Sequence, residues 1–128
     1  MTYSDTLNQT VLYYAAREGK TNCIDTLLEL GCNVNHRDIY GQTPIYYSTR
    51  EGHYELTLKL IEHGADVNNE DMNGQTPLFY SAREGHKAIS ELLIKSGAIP
   101  NKKDKKRQTP MYWARKSNKA EVRVKAKW

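Results

Sequence analysis

Apolar and small residues along this chain fall into short stripes of helical period, and the stripes come in two alternating kinds. The first kind is Leu12/Ala15/Ala16, Ile45/Ser48/Thr49, Leu78/Ser81/Ala82 and Met111/Ala114/Arg115. Each has i, i+3, i+4 spacing, and the small members allow close approach of neighbouring helices. The second kind is richer in large aliphatics: Ile24, Leu27 and Leu28, then Leu56, Leu60 and Ile61, then Ile89, Leu92, Leu93 and Ile94. These predict helices over residues 22–30, 54–63 and 87–96. Polar, Gly- and Asn-containing segments separate the stripes, so the pattern predicts pairs of short amphipathic helices. No run of about 18 apolar residues is present, and no membrane span is expected.

The pairs repeat with a fixed period. Thr76-Pro77-Leu78-Phe79-Tyr80-Ser81-Ala82-Arg83-Glu84-Gly85-His86 has counterparts 33 residues upstream at 43–53, again at 10–20, and downstream at 109–119. Asp5, Asp38, Asp71 and Asp104 keep the same phase, as do Gln9, Gln42, Gln75 and Gln108. Such self-similarity predicts a stack of units at about 5–37, 38–70, 71–103 and 104–128, within one domain spanning 1–128. Thr before Pro reads as an N-cap followed by a residue whose missing amide costs nothing there; unit one has Val11 in place of the Pro. Gly19, Gly52, Gly85 and Asn118 end the first helices, and Gly31, Gly64 and Gly97 the second. Gly41 and Gly74 suit a tight hairpin turn, and Asn8 can replace them. Arg107 fits that phase poorly, so an irregular last hairpin is expected. The charged segment 121–128 suits the polar face of a terminal cap, although a cut from a longer protein would look the same.

The motif Asp71-Met72-Asn73-Gly74-Gln75-Thr76-Pro77-Leu78, with Ala82, Gly85-His86, Leu92-Leu93 and Gly97-Ala98, resembles an ankyrin repeat. Gly41, Thr43-Pro44, Gly52-His53 and Gly64-Ala65-Asp66-Val67-Asn68 carry the same resemblance in the second unit, and it covers essentially residues 5–128. It implies an all-α solenoid of helix-turn-helix units joined by β-hairpin-like loops. The departure is at the position after Thr-Pro-Leu, where the family usually has His and this chain has Tyr13, Tyr46, Phe79 and Tyr112.

Charge and candidate chemistry narrow the function. Residues 101–128 carry 11 Lys and Arg against Asp104 and Glu121, a net of +9, whereas residues 1–100 carry −5. An acidic body thus ends in a basic unit. Cys23 and Cys32 are co-phased with Leu56/Ile89 and Ala65/Ala98. Both are therefore expected as free, core-placed thiols with no metal or disulfide role, pointing to the cytosol or nucleus. The N-terminal residues lack the basic and apolar regions of a signal peptide. His53 and His86 share a phase with Lys20 and Lys119 and read as structural or solvated, while His36 and His63 stand alone in loops. No catalytic triad spacing, phosphate loop or metal-ligand cluster is present, so no enzyme and no cofactor are expected.

What remains is surface. Tyr14, Tyr47, Tyr80 and Trp113 lie two residues beyond the core Leu, Ile or Met, followed at i+3, i+4 by Arg17-Glu18, Arg50-Glu51, Arg83-Glu84 and Lys116-Ser117. The resemblance places this first-helix face and the hairpin tips in a concave groove where partners bind. The tips contribute Ile39, Tyr40, Gln42, Met72, Asn73, Gln75, Lys105, Lys106 and Gln108. The first aromatic of each adjacent pair is expected to pack between units and the second to face a ligand, although Tyr at this phase also packs between units. Aromatics and Arg are enriched at binding hot spots.

The leading reading is a monomeric, non-catalytic module holding an extended peptide or protein surface. Tyr or Trp beside Glu would suit a basic segment through cation–π contact, and some ankyrin domains read histone tails through aromatic cages. The alternatives are nucleic-acid or acidic-surface binding through Lys102-Lys103-Asp104-Lys105-Lys106-Arg107, or substrate recruitment within a larger, for example chromatin-modifying, enzyme.

Overall fold

A computed structural model describes residues 9–117 and contains seven short helices. They are α1 (Val11–Glu18), α2 (Thr21–Glu29), α3 (Pro44–Glu51), α4 (Tyr54–Glu62), α5 (Pro77–Glu84), α6 (Lys87–Lys95) and α7 (Pro110–Lys116). Helices α1, α3, α5 and α7 pack one on the next in a row, and α2, α4 and α6 form a second row behind them. No strand occurs among the described residues. The architecture is an all-α repeat solenoid. The segment 121–128 and the residues Asp5, Asn8 and Asn118, for which helix, turn or cap roles are expected, lie outside the described residues.

The core follows the predicted stripes. Leu12, Ala16, Ile45, Leu56, Leu60, Leu78 and Leu93 are fully buried, and most of the core forms one continuous cluster running through the stack. At the seam between the two rows, short hydroxyls face each other: Thr57 Oγ1 donates to Ser48 Oγ at 2.9 Å, and the Ser81 and Ser90 hydroxyls are 2.8 Å apart. Small polar residues can be buried there because each satisfies the other. Arg115, placed on a core stripe by its spacing, is exposed.

Two expectations about thiols and caps are corrected. Cys32 is buried but Cys23 is exposed. Its counterparts Leu56 and Ile89 are covered because a second-row helix precedes each of theirs, and among the described residues none precedes α2. The side chains of Thr10, Thr43 and Thr76 make no capping bond; only Thr109 accepts from Tyr112 N. The first turn is closed instead by the Thr carbonyls, which accept from Tyr13, Tyr46 and Phe79 N at 3.0 Å. The Thr43 and Thr76 hydroxyls are buried without a partner.

The last hairpin also differs from expectation. It closes with Asp104 N donating to Gln108 O and Arg107 N to Asp104 O, both 2.9 Å, matching the hairpins at Asp38 and Asp71. Arg107 achieves this at φ 64°, the left-handed region that Gly41 and Gly74 occupy. A Cβ on Gly41 would meet Met72 N at 3.2 Å, and one on Gly74 would meet Lys105 N at 3.1 Å, because the next hairpin abuts each. Among the described residues no hairpin follows Arg107, so its side chain has room and only the backbone strain remains, about 1–2 kcal/mol.

Candidate functional site

The hairpins present their tips in a row tied by backbone bonds, Met72 N to Tyr40 O at 2.9 Å and Lys105 N to Asn73 O at 3.0 Å. At the base of each sits an aspartate that fixes its own turn. Asp38 Oδ1 accepts from Tyr40 N and Gln42 N, Asp71 Oδ1 from Asn73 N and Gln75 N, and Asp104 Oδ1 from Lys106 N and Gln108 N. These are side-chain-to-backbone turns of the kind Asp favours.

The second carboxylate oxygen joins three parts of the stack. Tyr47 OH donates to Asp38 Oδ2 at 2.7 Å, and Gln9 Nε2, from the layer before, reaches both that oxygen and Tyr47 OH at 2.9 Å. The arrangement repeats one layer on, with Tyr80 OH to Asp71 Oδ2 at 2.7 Å and Gln42 Nε2 to Asp71 Oδ2 at 2.9 Å and to Tyr80 OH at 3.0 Å. The third layer uses an indole: Trp113 Nε1 donates to Asp104 Oδ2 at 2.9 Å and Gln75 Nε2 to the same oxygen at 2.8 Å.

Arginines cover the rings. Arg17 and Arg50 donate to the amide oxygens of Gln9 and Gln42 at 2.8 and 3.0 Å. The Tyr47 ring lies beneath both Arg17 (5.1 Å) and Arg50 (4.8 Å), and the Tyr80 ring beneath Arg50 (5.0 Å) and Arg83 (4.7 Å). The result is an alternating ladder of guanidinium and phenol, held by cation–π attraction and hydrogen bonds. Burial, then the neighbouring aspartate, pushes the Tyr47 and Tyr80 hydroxyls well above the ordinary tyrosine range. At Asp104 burial likewise pushes the carboxyl upward. The hydrogen bonds from Gln75, the Gln108 amide, Trp113 and the Lys106 amide outweigh it and hold the carboxyl below its usual value.

This geometry divides the candidate residues. Tyr47 and Tyr80 are 6% and 5% exposed, their hydroxyls spent on aspartates and their rings under arginine, so neither side chain lies open on the face where it is expected. Gln42 and Gln75 are likewise buried, and Gln108 is half-buried. Arg17, Arg50, Arg83 and Trp113 are half-buried at the surface, while Glu18, Glu51, Glu84 and Tyr14 are exposed beside them. Tyr40, Met72 and Asn73 are exposed at the hairpin tips with Ile39. Of the first aromatics, Tyr13, Tyr46 and Phe79 are buried between layers as expected, and Tyr112 is exposed. The Tyr13 hydroxyl sits between the carbonyls of His36 and Gln42, and that of Tyr46 between those of Asn69 and Gln75.

The local pattern assigns no role to the aspartates, although a signal is present: Asp38–Tyr47, Asp71–Tyr80 and Asp104–Trp113 share a nine-residue spacing. His53 and His86 are structural, their Nε2 atoms lying 2.9 and 3.0 Å from the carbonyls of Arg17 and Arg50 in the layer before. Among the described residues no group of three His, Cys, Asp or Glu side chains is placed to hold a metal ion, and no helix is long and apolar enough to cross a membrane. A family model described as ankyrin repeats, three copies, matches residues 2–71 and 68–123. No curated protein matches the chain significantly.

Proposed function

Because the chain belongs to the ankyrin-repeat family, in general a class of non-catalytic protein-interaction modules, we propose that it holds an extended segment of a partner protein across its hairpin tips and first-helix face. The carrying observation is the exposed apolar row at the tips: Ile39 (54% exposed), Tyr40 (40%) and Met72 (55%) stand on hairpins that are hydrogen-bonded to one another and anchored by Asp38 and Asp71. Apolar side chains on a rigid support are what a binding surface needs, since little ordering entropy is lost on association. The Arg/Glu pairs beside them supply charge for register. A cage for methylated lysine has less support, because the aromatic faces of Tyr47 and Tyr80 are taken by the chain's own arginines.

The test is selection of peptides from a random displayed library, followed by calorimetry on one synthetic winner. Ile39→Asp combined with Met72→Asp is expected to weaken that peptide by about tenfold or more, as loss of apolar hot spots does. Melting should stay within about 0.5 kcal/mol of the parent in stability, both sites being exposed. Failure to select any peptide, or unchanged affinity in the double variant, defeats the proposal.

A further inference from the structure

The ladder changes at its third layer. Arg17 and Arg50 each bind the glutamine of their own layer and lie over the aromatic ring of the next. Arg83 does neither with Gln75 or Trp113: its only ion pair among the described residues is a loose one to Glu84 at 3.9 Å, and its guanidinium stacks on Tyr80 alone. The chemistry of position 113 accounts for part of this. A tyrosine hydroxyl both donates to the aspartate and accepts from the glutamine, whereas an indole N–H only donates. Among the described residues the Gln75 side-chain amide is therefore held by Asp104 alone. Between these groups lies an open cavity of about 370 Å³ lined by Gln75, Arg83, Asp104, Lys105, Lys106 and Trp113.

Three cations converge on this cavity against one carboxylate, and that carboxylate, Asp104, is already saturated by four N–H donors. Lys105 and Lys106 are exposed and have no acidic partner among the described residues. A cation entering here would meet net positive charge, so an anion is favoured. The half-buried Trp113 side chain adds an aromatic wall against which a short aliphatic stem can pack.

We propose that this cavity is a recognition pocket for one carboxylate side chain of the partner segment, held by Arg83 together with Lys105 and Lys106. The assignment rests on the segment-binding reading above and gives it a chemical class: an acidic, not a basic, residue at this end of the face. A nucleic-acid strand fits less well. Exposed Glu18, Glu51 and Glu84 follow the arginines along the face, and Lys102 is already paired with Glu70 at 2.8 Å. A polyanion would meet each glutamate, whereas a peptide need bring only one carboxylate.

The indole proton of Trp113 reports on the pocket directly, and Trp128→Phe leaves it the sole indole signal. In that background the whole chain is titrated by NMR with a blocked Gly-Glu-Gly peptide, its Gly-Gln-Gly counterpart, inorganic phosphate and a short oligothymidylate. A saturable indole shift with the glutamate peptide is expected, about tenfold weaker with the glutamine peptide, as loss of charge-assisted hydrogen bonds predicts. The same weakening is expected with Arg83→Gln and with Lys105→Gln combined with Lys106→Gln; the latter pair is at exposed tips and leaves the fold intact. Arg83→Lys should restore part of the affinity.

Equal response to the two peptides, or none to either, overturns the pocket while leaving the Ile39/Met72 experiment to decide the wider reading. An equal or stronger response to phosphate overturns it in favour of an unspecific anion site. A stronger response to oligothymidylate overturns it in favour of a nucleic-acid surface.

Discussion

The Asp38 carboxylate accepts four hydrogen bonds, two from the backbone of its own hairpin and one each from Tyr47 and Gln9. One carboxylate thus sets the turn, fixes an aromatic ring and ties two layers together. Tyr47 is accordingly a structural residue. Tyr47→Phe keeps the ring but removes the donor to a buried carboxylate, and should cost about 1.5–3 kcal/mol. Tyr47→Ala also opens a cavity and should cost about 3–5 kcal/mol. Denaturant unfolding of both variants measures this. If Tyr47→Phe were as stable as the parent, Asp38 would have to be satisfied without the hydroxyl.

At the scale of the element, each first helix begins the same way. Thr-Pro is the expected start signal, yet Thr43 and Thr76 use their carbonyls, not their hydroxyls, to close the first turn. Their extended backbone, φ −103° and −99°, is what places the carbonyls there. Packing against the neighbouring layers leaves both hydroxyls buried and unpaired. Thr43→Val keeps the shape and removes the buried polar atom, so it should leave stability unchanged or raise it by about 1 kcal/mol. A side-chain cap would give the opposite sign, a loss of about 1 kcal/mol. The midpoint of urea unfolding distinguishes the two.

For the whole molecule, the buried tyrosines make stability depend on their protonation. Burial raises Tyr13, Tyr46, Tyr47 and Tyr80 above the ordinary value of 10.0. The folded state therefore binds protons that the unfolded chain releases. The stability these groups contribute is fully present below about pH 10, the unfolded value, and is lost as pH rises from there toward their folded values. Unfolding by denaturant should become progressively easier above about pH 10, and the phenolate absorbance of these four should appear together with loss of helical circular dichroism. Ionisation of all nine tyrosines in a chain that stays helical would contradict the burial of these four.

The period of 33, the helix pairs, the core stripes and the glycine-ended helices were all legible in the sequence, because each is a local signal repeated in phase. Repetition also puts Arg17, Arg50 and Arg83 on one face, since they recur three residues beyond an aromatic. Which aromatics lie open on that face was decided only by the stack. Tyr14 and Tyr47 occupy the same phase, yet one is 61% exposed and the other 6%. The difference comes from Gln9, Arg17 and Asp38 closing over Tyr47, groups up to 38 residues away whose convergence no local pattern encodes. Cys23 and Leu56 differ for the same reason: whether a position is core in a repeat stack depends on the layer next to it, which only the tertiary structure supplies.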